Sequence, residues 1–422
     1  MPTFALVDCN SFFCACERVF QPKLRTHPVI VLSNNDGCVV SRTKEAKDLG
    51  IPMAVPFFKI KDVVRRHGVA VFSSNYGLYT DMSHRVMATL ADLAPSMEIY
   101  SIDEAFLDLT GTKDLWGYAR HMARRVLKDT GIPVSIGLGP TKTLAKVANF
   151  VAKKVGQDGV FDLTDPAVRA KILPLVPCHE VWGVGRGLTK TLATMGISSA
   201  WDIAQADPKR LRTTMGIVGE RLCLELQGVS CLPLEDAPAA RKSVISSRSF
   251  GYPLQDKELV RKSLQEHMGR ACEKLRKSGL TAGHLTIFIQ SNRFARTHLP
   301  HTHAASHTRV LATQHTPDLA GDVDMLLERI WREDIPFIKA GVMLCELKEA
   351  SSSPTNLFDT RDLKSQQRLM TTIDLLTKRY GRRTVSFAST LIKKEAIATW
   401  HMRSNHHSPC YTRRWKDLAT VR

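Results

Sequence analysis

Asp103 and Glu104 stand side by side in the stretch IYSIDEAFLDLTG, Ile99 to Gly111, inside an otherwise apolar, strand-like run. Ionised carboxylates are costly to bury unless they are paired or hold a metal ion. Neighbouring side chains on a straight strand point to opposite faces. Both acids therefore serve one ion only if SIDE is the bend of a hairpin between MEIYS and AFLDL. A third carboxylate is at hand, because Asp8 ends another apolar run, FALVD. If the two strands are neighbours in one sheet, Asp8 converges with Asp103 and Glu104 at its rim. Oxygen donors on an open site suit Mg2+, which keeps waters and substrate phosphates as its other ligands. Two such ions, about 4 Å apart, activate an attacking oxygen and stabilise a leaving oxygen in phosphoryl transfer. The plainer alternative is an acidic turn without chemistry, and three acids in a chain with 41 are weak evidence by themselves.

The elements that must position these acids are legible in outline. FALVDCNSFF reads as a short strand passing into a turn or helix start. HPVIVLSN and GCVVSR are β-branched runs around the turn-like NNDG, a hairpin signature. TKEAKDLG reads as a short helix stopped by Gly50, and apolar residues recur at helical spacing from Tyr79 to Leu93. LWGYARHMARRVLKDTG is a basic amphipathic helix, IPVSIGLG a strand, and TKTLAKVANFVAKKVG a helix carrying Lys142, Lys146, Lys153 and Lys154. Strands alternating with helices indicate an α/β or α+β domain over residues 1–165. Residues 166–232 turn to short helices punctuated by glycine. There VWGVGRGLTKTLATMGISSAWDIAQAD suits either a helix-hairpin-helix, whose helix-start N–H groups receive a DNA phosphate, or an ordinary helical hairpin. LPLEDAPAARKS, around 233–240, reads as a linker. Residues 241–348 form another unit, with strand-like SVISSRSFGYP and AGHLTIFIQSNRF flanking a basic helix.

Charge narrows the function classes. Lys and Arg number 59 against 41 Asp and Glu, a net +18 over 422 residues, which favours a polyanionic partner, nucleic acid first. Residues 351–422 carry 14 basic and 5 acidic residues, half of that charge in about a sixth of the length. This tail, 349–422, is expected to be either a solvated basic extension or a contact with nucleic acid or an acidic partner. No apolar run reaches the roughly 18 residues of a membrane span, and MPTFALVDCNSFFCACERVF has no basic region of a secretory signal. Ten scattered cysteines without a CxxC pair read as reduced thiols of a cytosolic protein. His298, His301, His303 and His307 have ligand-like spacing but lack cysteine partners, and a solvated loop is the expectation there.

Six ordered motifs together carry a resemblance: FALVDCNSFFCACE, NNDGCVVSRTKEAKDLGI, SSNYGLYTDMS, EIYSIDEAFLDLTG, GLGPTKTLAKVAN and VWGVGRGLTKTLATMGI. With SSRSFG and the closing SPCYTRRWKDLATVR, they make the chain similar over essentially its whole length to the Y-family DNA polymerases, nearest the UmuC-type branch. The resemblance implies an α+β multidomain, right-handed architecture. Its palm would be residues 1–18 and 75–165, its small fingers 19–74, its helical thumb 166–232, its little finger 241–348, and the basic tail would follow. It implies template-directed, error-prone synthesis past damaged bases in the SOS response. Mg2+, as two ions, would be held by Asp8, Asp103, Glu104 and the main-chain carbonyl of Cys9.

The same resemblance places Phe13, five residues after Asp8, as the steric gate that excludes a 2′-hydroxyl by shape, with Phe12 packing beside the nucleotide. Ser41, Arg42, Lys44, Lys47 and Lys153 fall at triphosphate positions. Lys44 and Lys47 stand where many members have Tyr and Arg, so charge is kept and the planar fork is not. Gly183, Gly185, Arg186, Lys190 and Arg248 fall at DNA-binding positions. PTNLFD resembles the short motif that docks on the sliding clamp, with Leu357 and Phe358 as anchors and Pro354 and Thr355 replacing the usual Gln and Leu. A primed or damaged DNA template, dNTP, a processed UmuD-type subunit and a RecA filament are the other implied partners, in a bacterial, nucleoid-associated cytoplasmic setting. GLGPTKT lacks the glycine that precedes the lysine of an ATPase loop. Two rivals remain: a DNA-binding scaffold without chemistry, and a two-metal nuclease, which needs the same carboxylates but no sugar gate.

Overall fold

Phe4–Cys9 (β1) is an uninterrupted run with all six residues buried, and it takes the middle of a five-stranded sheet, as a strand covered on both faces does. The computed structural model describes residues 2–155, 158–235, 240–295, 302–352, 362–381, 384–388 and 402–418. They form two units, Met1–Pro238 with His406–Arg422, and Ala239–Asn405.

In the first unit, β1 leads into Phe12–Phe20 (α1). Val29–Leu32 (β2) and Val39–Arg42 (β3) pair antiparallel around a turn in which Asn35 and Asp36 take left-handed backbone, as short polar side chains tolerate. Lys44–Asp48 (α2) and Lys61–Arg66 (α3) follow, and Ala70–Ser73 (β4) lies parallel to β2, making a three-stranded sheet β3-β2-β4. Tyr76–Ala91 (α4) precedes the hairpin Ser96–Ile99 (β5) and Glu104–Asp108 (β6). Leu115–Thr130 (α5), Val134–Gly139 (β7), Lys142–Val155 (α6) and Val160–Asp162 (β8) complete the larger sheet, ordered β5-β6-β1-β7-β8.

Alternation along β1 divides that sheet's two faces. Ala5, Val7 and Cys9 join the core with α1, α4 and α5, whereas Phe4 and Leu6 pack with Phe106 and Ala145 on the α6 side. By parity Asp8 belongs to the α6 side. Short helices then form a layer of their own: Pro166–Ile172 (α7), Arg186–Thr194 (α8), Ala200–Gln205 (α9), Pro208–Met215 (α10) and Ile217–Gln227 (α11). The buried Glu225 carboxylate accepts from the backbone N–H of Thr143 (3.0 Å), Cys231 (2.6 Å) and Leu232 (3.2 Å), which fixes α11 to the start of α6.

The second unit runs Val244–Leu254 (β9), Lys257–Lys277 (α12), Leu280–Ser291 (β10), Thr302–Thr313 (β11), Thr316–Ile330 (α13) and Phe337–Glu349 (β12). Its sheet is ordered β11-β10-β12-β9, antiparallel throughout. Leu285, Ile287 and Ile289 of β10 join one core with Leu264 and Met268 of α12 and Val323 and Leu327 of α13. Leu363–Tyr380 (α14) belongs to this unit, where Asp374 pairs with Arg276 of α12 at 2.7 Å. The stretch set apart by its charge as a tail thus divides: α14 folds with the second unit and residues 406–418 with the first. One expectation is corrected. His303 and His307 lie on β11, not in a loop, because THAASHTRVLAT alternates along a strand beside β10, while His298 and His301 fall outside the described residues.

Candidate functional site

Register brings two of the acids together: Asp8 lies directly opposite Glu104 across β1 and β6, so both side chains share the α6 face. Asp103 sits in the bend between β5 and β6. Ser101 builds that bend, its hydroxyl accepting from the backbone N–H of Asp103 (3.2 Å) and Glu104 (3.0 Å) and donating to Asp103 Oδ1 (2.7 Å). The Cys9 N–H donates to the Asp103 carbonyl at 2.9 Å, tying the bend to the end of β1. Two adjacent carboxylates are therefore compatible with a buried sheet, since one ends the turn and the other begins the strand.

Helix α6 supplies the counter-charges. Lys153 Nζ is 2.6 Å from Asp8 Oδ2, and Lys146 Nζ is 3.0 Å from Glu104 Oε1. Lys146 also stands over the rings of Tyr100 (4.4 Å) and Trp182 (5.4 Å), and Trp182 Nε1 donates to the Tyr100 hydroxyl at 3.1 Å. Asp8 is 8% exposed. Burial pushes its carboxyl up to about 6, Lys153 pulls it back, and the negative neighbours Glu104 and Asp103 push it up again. Cys9 is buried and its thiol is pushed far above the usual range, by desolvation first and by Asp8 next, so its main-chain carbonyl is the oxygen it can offer.

Among the described residues no three His, Cys, Asp or Glu side chains close around an ion by themselves. Mg2+ needs no such cage, being bound by one or two carboxylates with waters and substrate phosphates. The donor set fits it: all oxygen, anionic, with lysine ammonium groups standing as cations on two of the three acids.

Phe13 is half-buried on α1, its ring stacked on Tyr79 of α4 at 4.4 Å and 12°, with Tyr76 edge-on at 6.1 Å. Phe12 is buried in the core beneath. Around the smaller sheet, the buried Ser41 hydroxyl accepts from Cys14 N–H at 3.4 Å. Arg42 is turned inward to the Ile51 carbonyl. Lys44 and Lys47 are exposed on α2. Gly183 takes positive φ and Gly185 is the N-cap of α8, from which Arg186 and Lys190 project into solvent. Arg248 on β9 lies opposite Ala340, on the face that α12 covers, beside His267 and Arg270. Leu357 and Phe358 fall outside the described residues.

Sequence reasoning left Lys146 and Ser101 without roles. For Lys146 the signal was present: Lys142, Lys146 and Lys153 are spaced four and seven apart, which is one face of a helix. Ser101, two residues before Asp103, has the spacing of a hydroxyl-stabilised turn. The buried pair Glu17 and Tyr79 gave no local signal.

Three family models match the chain: the impB/mucB/samB family over residues 7–149, its C-terminal domain over 241–357, and a domain of unknown function over 367–421. The chain is 41% identical to Protein UmuC of Salmonella typhimurium across 99% of this chain and 100% of that one. It is 36% identical to Protein MucB of Escherichia coli over the same shares, and 30% identical to DNA polymerase IV of Moorella thermoacetica over 92% and 95%. Among solved structures, a Y-family DNA polymerase chimera of Dbh and Dpo4 superposes with a TM-score of 0.67 over 82% of this chain and 98% of that chain, at 21% identity. The insertion ternary complex of Dbh DNA polymerase gives 0.54 over 81% and 98%, also at 21%. The fold is thus shared with Y-family polymerases, and identity of this order from end to end makes the chain a member of the impB/mucB/samB family, the UmuC-type branch of the Y-family DNA polymerases.

Proposed function

We propose that the protein is a template-directed, error-prone DNA polymerase that adds deoxynucleotides past damaged bases in the SOS response. One observation carries the reading: Asp8 and Glu104 face each other across β1 and β6, and Ser101 turns Asp103 toward the same rim. In this reading Asp8, Asp103, Glu104 and the Cys9 carbonyl hold divalent metal, Mg2+ as two ions. The bound metal supplies charge stabilisation for attack of the primer 3′-oxygen on the α-phosphate and departure of pyrophosphate. The protein's own groups do the rest. Lys153, paired with Asp8 at 2.6 Å, is a cation for the triphosphate, and Ser41, Arg42, Lys44 and Lys47 are assigned to the same role by the family motif. Phe13, with Phe12 behind it, excludes the 2′-hydroxyl. Gly183, Gly185, Arg186, Lys190 and Arg248 bind the DNA backbone.

The palm is then 1–18 and 75–165, the fingers 19–74, the thumb 166–232 and the little finger 241–348, joined through 233–240. A processed UmuD-type subunit, a RecA filament and, through Leu357 and Phe358, the sliding clamp complete the assembly. The nuclease alternative shares the carboxylates but gives no use to Phe13 or to the lysines of α2. A primed template with an abasic site, incubated with Mg2+ and with or without UmuD-type partner and RecA filament, tests the reading. Read-through that requires dNTP is expected. Shortening of the DNA without dNTP supports the nuclease instead, and arrest at every lesion tested contradicts lesion bypass.

A further inference from the structure

The C-terminal segment 406–411 is bolted to the two helices that carry the Phe13 ring and its backing. Ser73 N–H donates to the His406 carbonyl at 2.9 Å, and His406 N–H donates to the Ser73 hydroxyl at 3.0 Å. Asn75, whose side chain caps the start of α4, donates to the Ser408 hydroxyl at 3.0 Å and the Pro409 carbonyl at 3.3 Å. Tyr411 stacks on Phe20 of α1 at 4.7 Å and 3°, its hydroxyl accepting from Gln21 at 3.0 Å.

Between these anchors runs a buried relay. The Ser408 hydroxyl donates to Glu17 Oε1 at 3.0 Å, and the Tyr79 hydroxyl donates to the same oxygen at 2.8 Å. The Tyr79 ring, fully buried, is the surface on which Phe13 stacks. Glu17 is 0% exposed, and among the described residues its Oε2 has no hydrogen-bond partner. A carboxyl so placed is expensive. A core that needed only apolar contact between α1 and α4 would be better served by a hydrocarbon side chain. The carboxyl instead does what a hydrocarbon cannot: it fixes the Tyr79 hydroxyl, and with it the tilt and depth of the ring under Phe13.

We propose that the C-terminal clasp is a positioning element for sugar selection, in which Ser408, acting through Glu17 and Tyr79, sets the height of the Phe13 ring against the nucleotide sugar. The inference rests on reading Phe13 as the sugar gate. Repulsion between a ring edge and a hydroxyl is steep in distance, so a shift of a few tenths of an ångström in the backing ring alters rejection of a ribonucleotide while leaving room for the smaller deoxyribose. Ser408, Glu17 and Tyr79 are positioning residues; none of them touches the reacting atoms.

The experiment is primer extension by the full chain on an undamaged template, comparing kcat/KM for a ribonucleotide with that for the matching deoxynucleotide. The variants are Phe13→Ala, Tyr79→Phe, Ser408→Ala and Ser408→Thr. Phe13→Ala is expected to raise the ribo-to-deoxy ratio most. Tyr79→Phe and Ser408→Ala are expected to raise it about five-fold, the equilibrium worth of one hydrogen bond, with deoxynucleotide kcat/KM within about two-fold of the parent. Ser408→Thr, which keeps the hydroxyl, is expected to keep the parent ratio. If Phe13→Ala relaxes selection but Tyr79→Phe and Ser408→Ala leave the ratio unchanged, or lower both nucleotides in parallel, the clasp is a structural support and the inference fails alone. An unchanged ratio in Phe13→Ala overturns the gate reading and this inference with it. Should Ser408→Ala not fold, Tyr79→Phe, which keeps the ring and nearly all its volume, decides.

Discussion

Each acid on the α6 face has its own lysine, and the two pairings are not equivalent. Lys153 is 40% exposed and free to change partners, whereas Lys146 is 15% exposed and boxed by Tyr100, Phe106 and Trp182. Lys146 therefore orients Glu104 as a permanent neighbour. Lys146→Met keeps the stem on the rings and removes the ammonium. If Glu104 holds metal as proposed, the substitution is expected to lower kcat/KM for primer extension by about 10- to 100-fold, the usual effect of losing a group that orients a metal ligand, with the melting temperature little changed. His267 of α12 tests burial in the second unit. Desolvation first, then the positive Arg270, pushes it down to about 4, with Glu266 opposing and Arg248 and Lys274 adding to the fall. Its folded pKa lies below the ordinary value near 6.5, so its contribution is fully present above pH 6.5 and is lost as the pH falls toward 4. That loss amounts to about 3 kcal/mol. Amide-exchange protection in α12, corrected for the intrinsic slowing of exchange at lower pH, should fall over that window, and His267→Gln should remove this loss; an equal loss in the variant contradicts it. At this scale the types and spacing of Asp8, Asp103 and Glu104 suggest a shared acidic rim, which the register of β1 and β6 forms for Asp8 and Glu104, while Phe13 enters only through the family resemblance. The lysine partners of the acids were visible only as a basic helix, since sequence spacing gives the face of α6 and not what it meets.

Helix α6 approaches β7 closely because Gly137 has no side chain: a Cβ there would overlap the backbone of Ala145 and Asn149. Asn149 uses that proximity, donating to the Ser135 carbonyl at 2.7 Å and the Leu6 carbonyl at 3.3 Å. The approach sets how far Lys146 and Lys153 reach toward the acids. Gly137→Ala is expected to destabilise the first unit by about 3 kcal/mol or more through overpacking against backbone, measured by urea denaturation; a loss under about 0.5 kcal/mol would show that helix and sheet separate freely. Elements of this unit were readable because FALVDC, VIVL and VSIGLG are short apolar runs and α5 and α6 have clear helical periodicity. The strand identity of THAASHTRVLAT was not, because histidine, serine and threonine at alternate positions look like loop composition until β10 provides a partner. Tertiary context overrode local propensity there.

Across the whole molecule the excess of +18 predicts binding to DNA that weakens steeply with salt, as phosphate contacts release counterions. Affinity for a primed template should fall by about 10³-fold or more between roughly 50 and 200 mM salt; a flat response would contradict extensive phosphate contact. The charge was legible from composition, but the destination of the basic C-terminal residues was not. Ser408 meets Glu17 across 391 positions, and no local pattern encodes a contact of that separation. The central claim, that phosphoryl transfer takes place where Asp8, Asp103 and Glu104 meet, rests on a second-unit-independent geometry at one rim of the β5-β6-β1-β7-β8 sheet. It is tested most directly by Mg2+-dependent extension of an undamaged primed template, comparing the intact chain with the doubly substituted Asp103→Asn, Glu104→Gln chain. Both are assayed with UmuD-type partner and RecA filament, with template affinity measured in parallel. The account predicts extension by the intact chain and none by the substituted chain at undiminished template affinity. Equal extension by both would contradict it, and so would binding without extension by the intact chain with every partner present.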